Sequence, residues 1–361
     1  MARRLLLLNG LAAACLPLFH AVVYGFQAMF LWTDRYRLVT VPNYDELGSF
    51  TYYVMLTIRQ LSGFSIPAFL FVSGFFIAFL ASGSESQLNK GAIFKRIKVL
   101  IIPFLVWTTI HFILLMRLPD SVTALLRPYY YIPLIIQYYL LSPLLVPLAK
   151  KNWKLLLVAV AVLHILLQTA EYLTILQLDA PGRALLVQAT PIWLFLGRLF
   201  WFVFGLVASL HLSELKSWLM RFRRPLLAAM ILTGVLSVVE YAVVNEVASP
   251  GVWLGPNFTG FGRDGFSLAV LLVFIAYDKT QYPFKAQLTD LGVKSLGIYL
   301  VNTPAIFVVS GLIYHRLPWI LGQPLLYQGI LFIVGLGVPV LLMSITFKLP
   351  VVRPGYRFLF G

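Results

Sequence analysis

The sequence predicts an all-α polytopic membrane protein with about ten transmembrane helices and with both its N- and C-termini cytoplasmic. Three observations carry that expectation. The 361 residues are 60% hydrophobic and 11% charged, where a soluble domain is typically about a quarter charged. Ten apolar runs, each of roughly the 17 or more residues a bilayer core demands, are separated by polar breaks. Charge then alternates between the breaks. With the N-terminus cytoplasmic, the inner segments hold 19 of the 28 Lys and Arg residues, from Arg3 and Arg4 to Lys348, Arg353 and Arg357, as the positive-inside rule requires.

The runs fall at 5–31, 61–82, 98–117, 128–149, 154–173, 190–212, 225–246, 262–278, 294–315 and 325–348. No internal repeat appears, and no segment is long and polar enough to fold alone. A single domain over 1–361 is therefore expected. The net charge of +15 does not indicate nucleic acid, because the basic residues sit in short breaks between apolar runs and no RNA- or DNA-binding motif accompanies them. The one cysteine, Cys15, excludes an intrachain disulfide.

The first run, Leu5 to Phe30, is long enough to span and continues well past Ala-Ala-Ala-Cys15, so it reads as a retained signal anchor and not a cleaved signal peptide. Asn9 and His20 interrupt it. They are eleven positions apart, near three helical turns, and share a face. An ionisable side chain inside a membrane helix is expensive and marks either a function or a polar interior. Histidine is also the side chain suited to moving a proton near neutral pH. On residue physics alone, inter-helix hydrogen bonding explains His20 equally well.

The connection 32–60 is long and ends in YYVMLTIRQ, which is expected to lie as an interfacial helix. The second run contains Pro67, which tends to kink a helix, and Ser73-Gly74, small residues where another backbone can approach. Lys95, Arg96 and Lys98 then stand at the inner mouth of the third run, either as a positive-inside anchor or as a rim for phosphates. Gln137 and several tyrosines lie in the fourth run. His164 and Gln168 share a face of the fifth. Arg198 and Glu240 fall in the sixth and seventh, where a pair would offset the burial of both charges. Pro181-Gly182, Pro250-Gly251 and Pro256-Asn257 signal turns in long outer connections. Tyr299 and Asn302 leave a phenol and an amide inside the ninth run.

Other chemistries lack support. There is no Walker loop, no Gly-x-Ser-x-Gly elbow and no His-Glu-x-x-His. The histidines are scattered at 20, 111, 164, 211 and 315, and no metal site is expected.

Taken in order, several fragments resemble the acyltransferase family 3 proteins, integral membrane enzymes that move acyl groups onto extracytoplasmic acceptors. Leu6-Leu-Leu-Asn-Gly-Leu-Ala with Leu18-Phe-His20 is similar to the family's first span. Ile66-Pro-Ala-Phe-Leu-Phe-Val-Ser-Gly-Phe75 is similar to its Ser-Gly-Phe span. Phe94-Lys-Arg-Ile-Lys through Trp107 is similar to its basic loop and following helix, and Gly292-Val-Lys-Ser-Leu-Gly-Ile-Tyr-Leu300 to its late Ser-x-x-x-Tyr-Leu span. There are departures. Asn9 stands where the family usually has arginine, Val99 where its loop carries a second arginine, and Asn302 where its late span often ends in histidine.

The resemblance implies an O-acyltransferase of a cell membrane, multi-pass in the plasma or inner membrane of a bacterium. The donor would be acyl-CoA, acetyl-CoA foremost, arriving from the cytoplasm. The acceptor would be a hydroxyl of a sugar, glycan or other extracytoplasmic molecule. His20 would be the base, Asn9, Ser73 and Asn302 would orient it or stabilise the oxyanion, and Arg96, Lys95 and Lys98 would hold the donor. A transporter or lipid flippase also places polar residues in Pro-broken spans, and a family member without activity would share the same frame.

Overall fold

The computed structural model describes residues 2–81, 90–255, 258, 260–277 and 283–361. The Pro256-Asn257 turn signal and Lys279 lie outside the described residues, as do the side chains of Arg3 and Lys90. The described regular structure is helical throughout. In chain order the α-helices are α1 (Ala2–Leu31), α2 (Phe50–Ser62), α3 (Ser65–Leu80), α4 (Lys90–Leu115), α5 (Val122–Leu126), α6 (Tyr131–Ile175), α7 (Arg183–Ala189) and α8 (Leu199–Leu210). They continue with α9 (Leu212–Arg221), α10 (Arg223–Ala248), α11 (Phe261–Ala276), α12 (Lys285–Val293), α13 (Ser295–Arg316), α14 (Pro324–Lys348) and α15 (Tyr356–Phe360).

Each of the ten apolar runs contains helix, but they do not make ten separate helices of spanning length. Seven stretches among the described residues are long and apolar enough to cross a membrane, or eight if the bent pair α8–α9 counts as one. The difference has three sources. The fourth and fifth runs lie in one 45-residue helix, α6, which breaks at Asn152 (φ −141°, ψ 57°) among Lys150, Lys151 and Lys154. The sixth run yields only the 12-residue α8, which meets α9 at 97°. The eighth gives the 16-residue α11.

The expected interfacial helix is also corrected. Ser49 caps α2, its hydroxyl accepting from the Tyr52 amide at 3.1 Å, and Tyr52, Met55, Leu56, Arg59 and Gln60 are buried. Tyr52 packs on Phe26 of α1, ring centres 5.7 Å apart. The aromatic residues that suggested a headgroup belt therefore serve helix packing, and the second candidate span runs from Phe50 to Leu80.

Burial separates centre from periphery. The most apolar windows of α1, α2–α3 and α13 are 50%, 67% and 56% buried, against 28% or less for α4, α6, α10 and α14. The outer helices show Leu140, Leu144, Leu155, Ile165, Ile231, Leu232 and Ile333 at the surface. Apolar exposure on that scale suits hydrocarbon, not water.

Two crossings bring backbones together without intervening side chains. A Cβ on Gly74 of α3 would sit 2.0 Å from the Phe202 carbonyl oxygen of α8, and one on Gly205 the same distance from that of Phe71. A Cβ on Gly10 of α1 would meet the Leu288 carbonyl oxygen of α12 at 1.7 Å, and one on Gly292 that of Leu6 at 1.9 Å. Small residues are what permit such approach between membrane helices.

Candidate active site

The central feature is a pairing of α1 with α13. His20 Nδ1 lies 2.5 Å from Asn302 Oδ1, across 282 residues of chain, with Thr303 Oγ1 at 3.4 Å from the same nitrogen. The Asn302 amide has no freedom to turn. Its Nδ2 donates to the backbone carbonyls of Ile298 at 2.8 Å and Tyr299 at 2.7 Å, so Oδ1 must face the imidazole. An amide oxygen can only accept. This network assigns the proton to Nδ1 and leaves the lone pair on Nε2. Nε2 makes no hydrogen bond to a described residue, and His20 is only half-buried although it stands on a central helix. The arrangement holds the imidazole through Nδ1 and leaves Nε2 uncommitted.

Asn9 is placed elsewhere. Its Nδ2 donates to Ser295 Oγ at 2.8 Å and to the Gly292 carbonyl at 3.2 Å. It ties α1 to the α12–α13 corner beside the Gly10–Gly292 crossing and does not reach the imidazole. The Asn9–Ser295 and His20–Asn302 contacts show that α1 and α13 run parallel. Cys15, half-buried, lies between Asn9 and His20 along α1.

Ser73 belongs to a second polar group. Its hydroxyl is 3.3 Å from that of Tyr131, and both Ser73 and Arg96 lie beside the Tyr139 phenol. Arg96 thus turns into the bundle, while its neighbours Lys95 and Lys98 are exposed. The Tyr131 amide donates to the Tyr299 hydroxyl at 3.2 Å, which joins this group to the first turn of α13. The polar line therefore runs from Arg96 through Tyr139, Ser73 and Tyr131 to Tyr299, one helical turn before Asn302. The sequence signalled Tyr131 and Tyr299 as interior phenols but not that they meet.

A third group surrounds Arg59, which is fully buried, its guanidinium 5.9 Å from the Phe19 ring centre and 4.9 Å from that of Tyr241. Arg263 is 9% exposed and packs over Gly63. The expected Arg198–Glu240 pair does not form. Arg198 stands over the Tyr130 ring at 5.4 Å, while the Glu240 carboxylate accepts from the Phe261 amide at 2.9 Å, the Gly262 amide at 2.7 Å and the Tyr172 hydroxyl. Two oriented amides at the start of α11 satisfy the carboxylate better than a distant cation. His164 pairs with Asp264 at 2.9 Å, and Gln168 is buried one turn further on. Gln137 sutures α6 to the following turn through the Trp193 carbonyl and the Phe195 amide. On the connection after α1, Tyr36 donates to the Ala28 carbonyl at 3.0 Å, and burial pushes its phenol up to about 12.

The fold and these groups define a multi-helix membrane protein with a tautomer-fixed histidine in its centre. The chain belongs to acyltransferase family 3: the model of the family's acyltransferase domain matches residues 4–344, nearly the whole chain. Neither a curated protein nor a solved structure matches it. It is thus a membrane acyltransferase in general terms.

Proposed function

We propose that the protein moves an acyl group, acetyl foremost, from acyl-CoA to a hydroxyl of a sugar, glycan or other extracytoplasmic acceptor, with His20 as general base. The observation that carries the reading is the uncommitted Nε2 of an imidazole whose other nitrogen is fixed by Asn302. In the step proposed, the acceptor hydroxyl gives its proton to Nε2 while its oxygen forms a bond to the thioester carbon. The carbon–sulfur bond then breaks, and the leaving sulfur takes the proton from Nε2. The products are an ester and free CoA thiol, with the histidine regenerated.

Arg96, turned inward, is proposed to hold a donor phosphate, with Lys95 and Lys98 as an outer rim. Asn302 acts through His20, and Asn9 acts on helix position. Ten crossings with both termini cytoplasmic are proposed for the chain. In support, α1 and α13 run parallel, the second and fourth runs end side by side, and α10 meets the start of α11 where the seventh run gives way to the eighth. Lys150 meets the Ala81 carbonyl at one end, for example, and Glu240 meets Gly262 at the other. The proposed location is a bacterial plasma or inner membrane.

The test is His20→Ala and His20→Gln in membranes, with folding checked by thermal melting. The readouts are CoA thiol released from acetyl-CoA and O-acetyl groups on surface glycans by mass spectrometry. A general base contributes about 10²–10⁴-fold, so both signals are expected to fall by at least a hundredfold. Folded variants that keep near-normal transfer overturn the assignment.

A further inference from the structure

Two phenols beside the site are left unused by this chemistry. Tyr129 is 0% exposed, and its hydroxyl makes no hydrogen bond among the described residues. Buried polar atoms without a partner are rare in native folds and ask for a reason. Tyr299 is 5% exposed, and its oxygen accepts from the Tyr131 amide. That bond uses a lone pair and leaves the hydroxyl proton with no acceptor among the described residues. The two rings stand 6.1 Å apart at 70°, and Tyr131 lies 5.4 Å from Tyr299. The pair therefore presents two O–H protons on packed rings, with no acceptor for either among the described residues.

Position narrows what could receive them. On one side, the Tyr131–Ser73–Tyr139 line leads to Arg96. On the other, Asn302, one turn along α13, holds His20 and donates to the Tyr299 carbonyl. A group between them lies between the proposed phosphate cation and the proposed base. Phenols are neutral donors, suited to a carbonyl oxygen, whereas phosphate recruits Arg and Lys.

We infer that the Tyr129 and Tyr299 hydroxyls donate to the thioester carbonyl oxygen of the acyl-CoA donor. This rests on the acyl-transfer reading above. When the acceptor oxygen adds to that carbon, the carbonyl oxygen gains negative charge, which two phenol protons held in place by the fold would stabilise. Donors fixed in advance inside a water-poor site are the effective form of oxyanion stabilisation.

The experiment compares acetyl-CoA with CoA, which lacks the thioester carbonyl. Binding of each is measured by calorimetry on wild type, Tyr129→Phe and Tyr299→Phe, together with the rate of CoA release and thermal melting. Wild type is expected to bind acetyl-CoA more tightly than CoA. Each variant is expected to lose about five- to tenfold in acetyl-CoA affinity and at least as much in kcat/KM, with CoA binding unchanged. Tyr129→Phe is expected to melt no lower than wild type, because it removes only an unsatisfied hydroxyl. It therefore keeps the test valid even where Tyr299→Phe, which orphans the Tyr131 amide, fails to fold. Variants that retain the wild-type preference for acetyl-CoA and its turnover overturn the phenol assignment alone. Wild-type protein that binds neither compound overturns the acyl-CoA reading and this inference together.

Discussion

Replacing Asn302 by alanine isolates what the amide does for the imidazole. The substitution removes the acceptor 2.5 Å from His20 Nδ1 and leaves only Thr303 Oγ1 at 3.4 Å, near the limit of hydrogen bonding. The bonds made by Asn302 Nδ2 go to carbonyls already within the helix ladder, so little is lost there. An orphaned buried donor costs about 1–3 kcal/mol. The same energy separates the productive tautomer, with its lone pair on Nε2, from states in which the ring flips or moves its proton. Taken as a rate, 1–3 kcal/mol is about 5- to 150-fold. CoA release from acetyl-CoA by the purified variant is therefore expected to fall within that range. KM for acetyl-CoA should change little, because the amide touches the base and not the donor. The double variant His20→Ala/Asn302→Ala should be no slower than His20→Ala alone, since residues acting as a unit are not additive. Wild-type turnover by a well-folded Asn302→Ala protein, or full additivity in the double variant, would falsify the positioning role.

Four further outcomes follow from other contacts. Arg96→Gln is expected to raise KM for acetyl-CoA by about tenfold or more, the scale of a lost charge-assisted hydrogen bond, while exposed Lys95→Gln changes it by less than about threefold; steady-state kinetics separate the two. Gly10→Ala drives a methyl to 1.7 Å from the Leu288 carbonyl oxygen, and separating the helices should destabilise by about 1–3 kcal/mol, read as a lower melting temperature. Gly205→Ala is expected to do the same at the α3–α8 crossing, where the gap is 2.0 Å. Glu240→Ala strands the Phe261 and Gly262 amides and should cost about 3 kcal/mol in stability, with Glu240→Gln recovering part of it in the same melt.

The sequence carried the helices well because hydropathy reads lipid contact directly, and a helix lies in every apolar run. It carried span number less well. Hydropathy cannot distinguish two spans from one 45-residue helix broken at Asn152, nor foresee the 97° bend between α8 and α9. Tyr52 and its neighbours misled for a related reason, since an aromatic belt and an aromatic helix interface have the same composition. Within the site, His20 and Asn302 stood out as polar residues in apolar runs, and the fold brings them together. Asn9 and Ser73 stood out in the same way, but periodicity specifies a face and not the partner opposite it. Arg198 and Glu240 show that limit most clearly: the sequence suggested that they pair with each other, and instead one meets an aromatic ring and the other backbone amides. Tyr129 offered no signal, because what sets it apart is a hydrogen bond it does not make among the described residues.

The Gly10–Gly292 crossing works as a gauge block for the chemistry it never touches. It fixes α12 against α1 at a point about 15 Å along the helix from His20, and only Lys294 separates α12 from the helix that carries Asn302. Sliding one helix past the other by a single residue rise, about 1.5 Å, would pull the amide off the imidazole, so the knot sets vertical alignment at a distance. Loops at the opposite end of the bundle lie far from this knot, so the alignment of Asn302 with His20 is set independently of them.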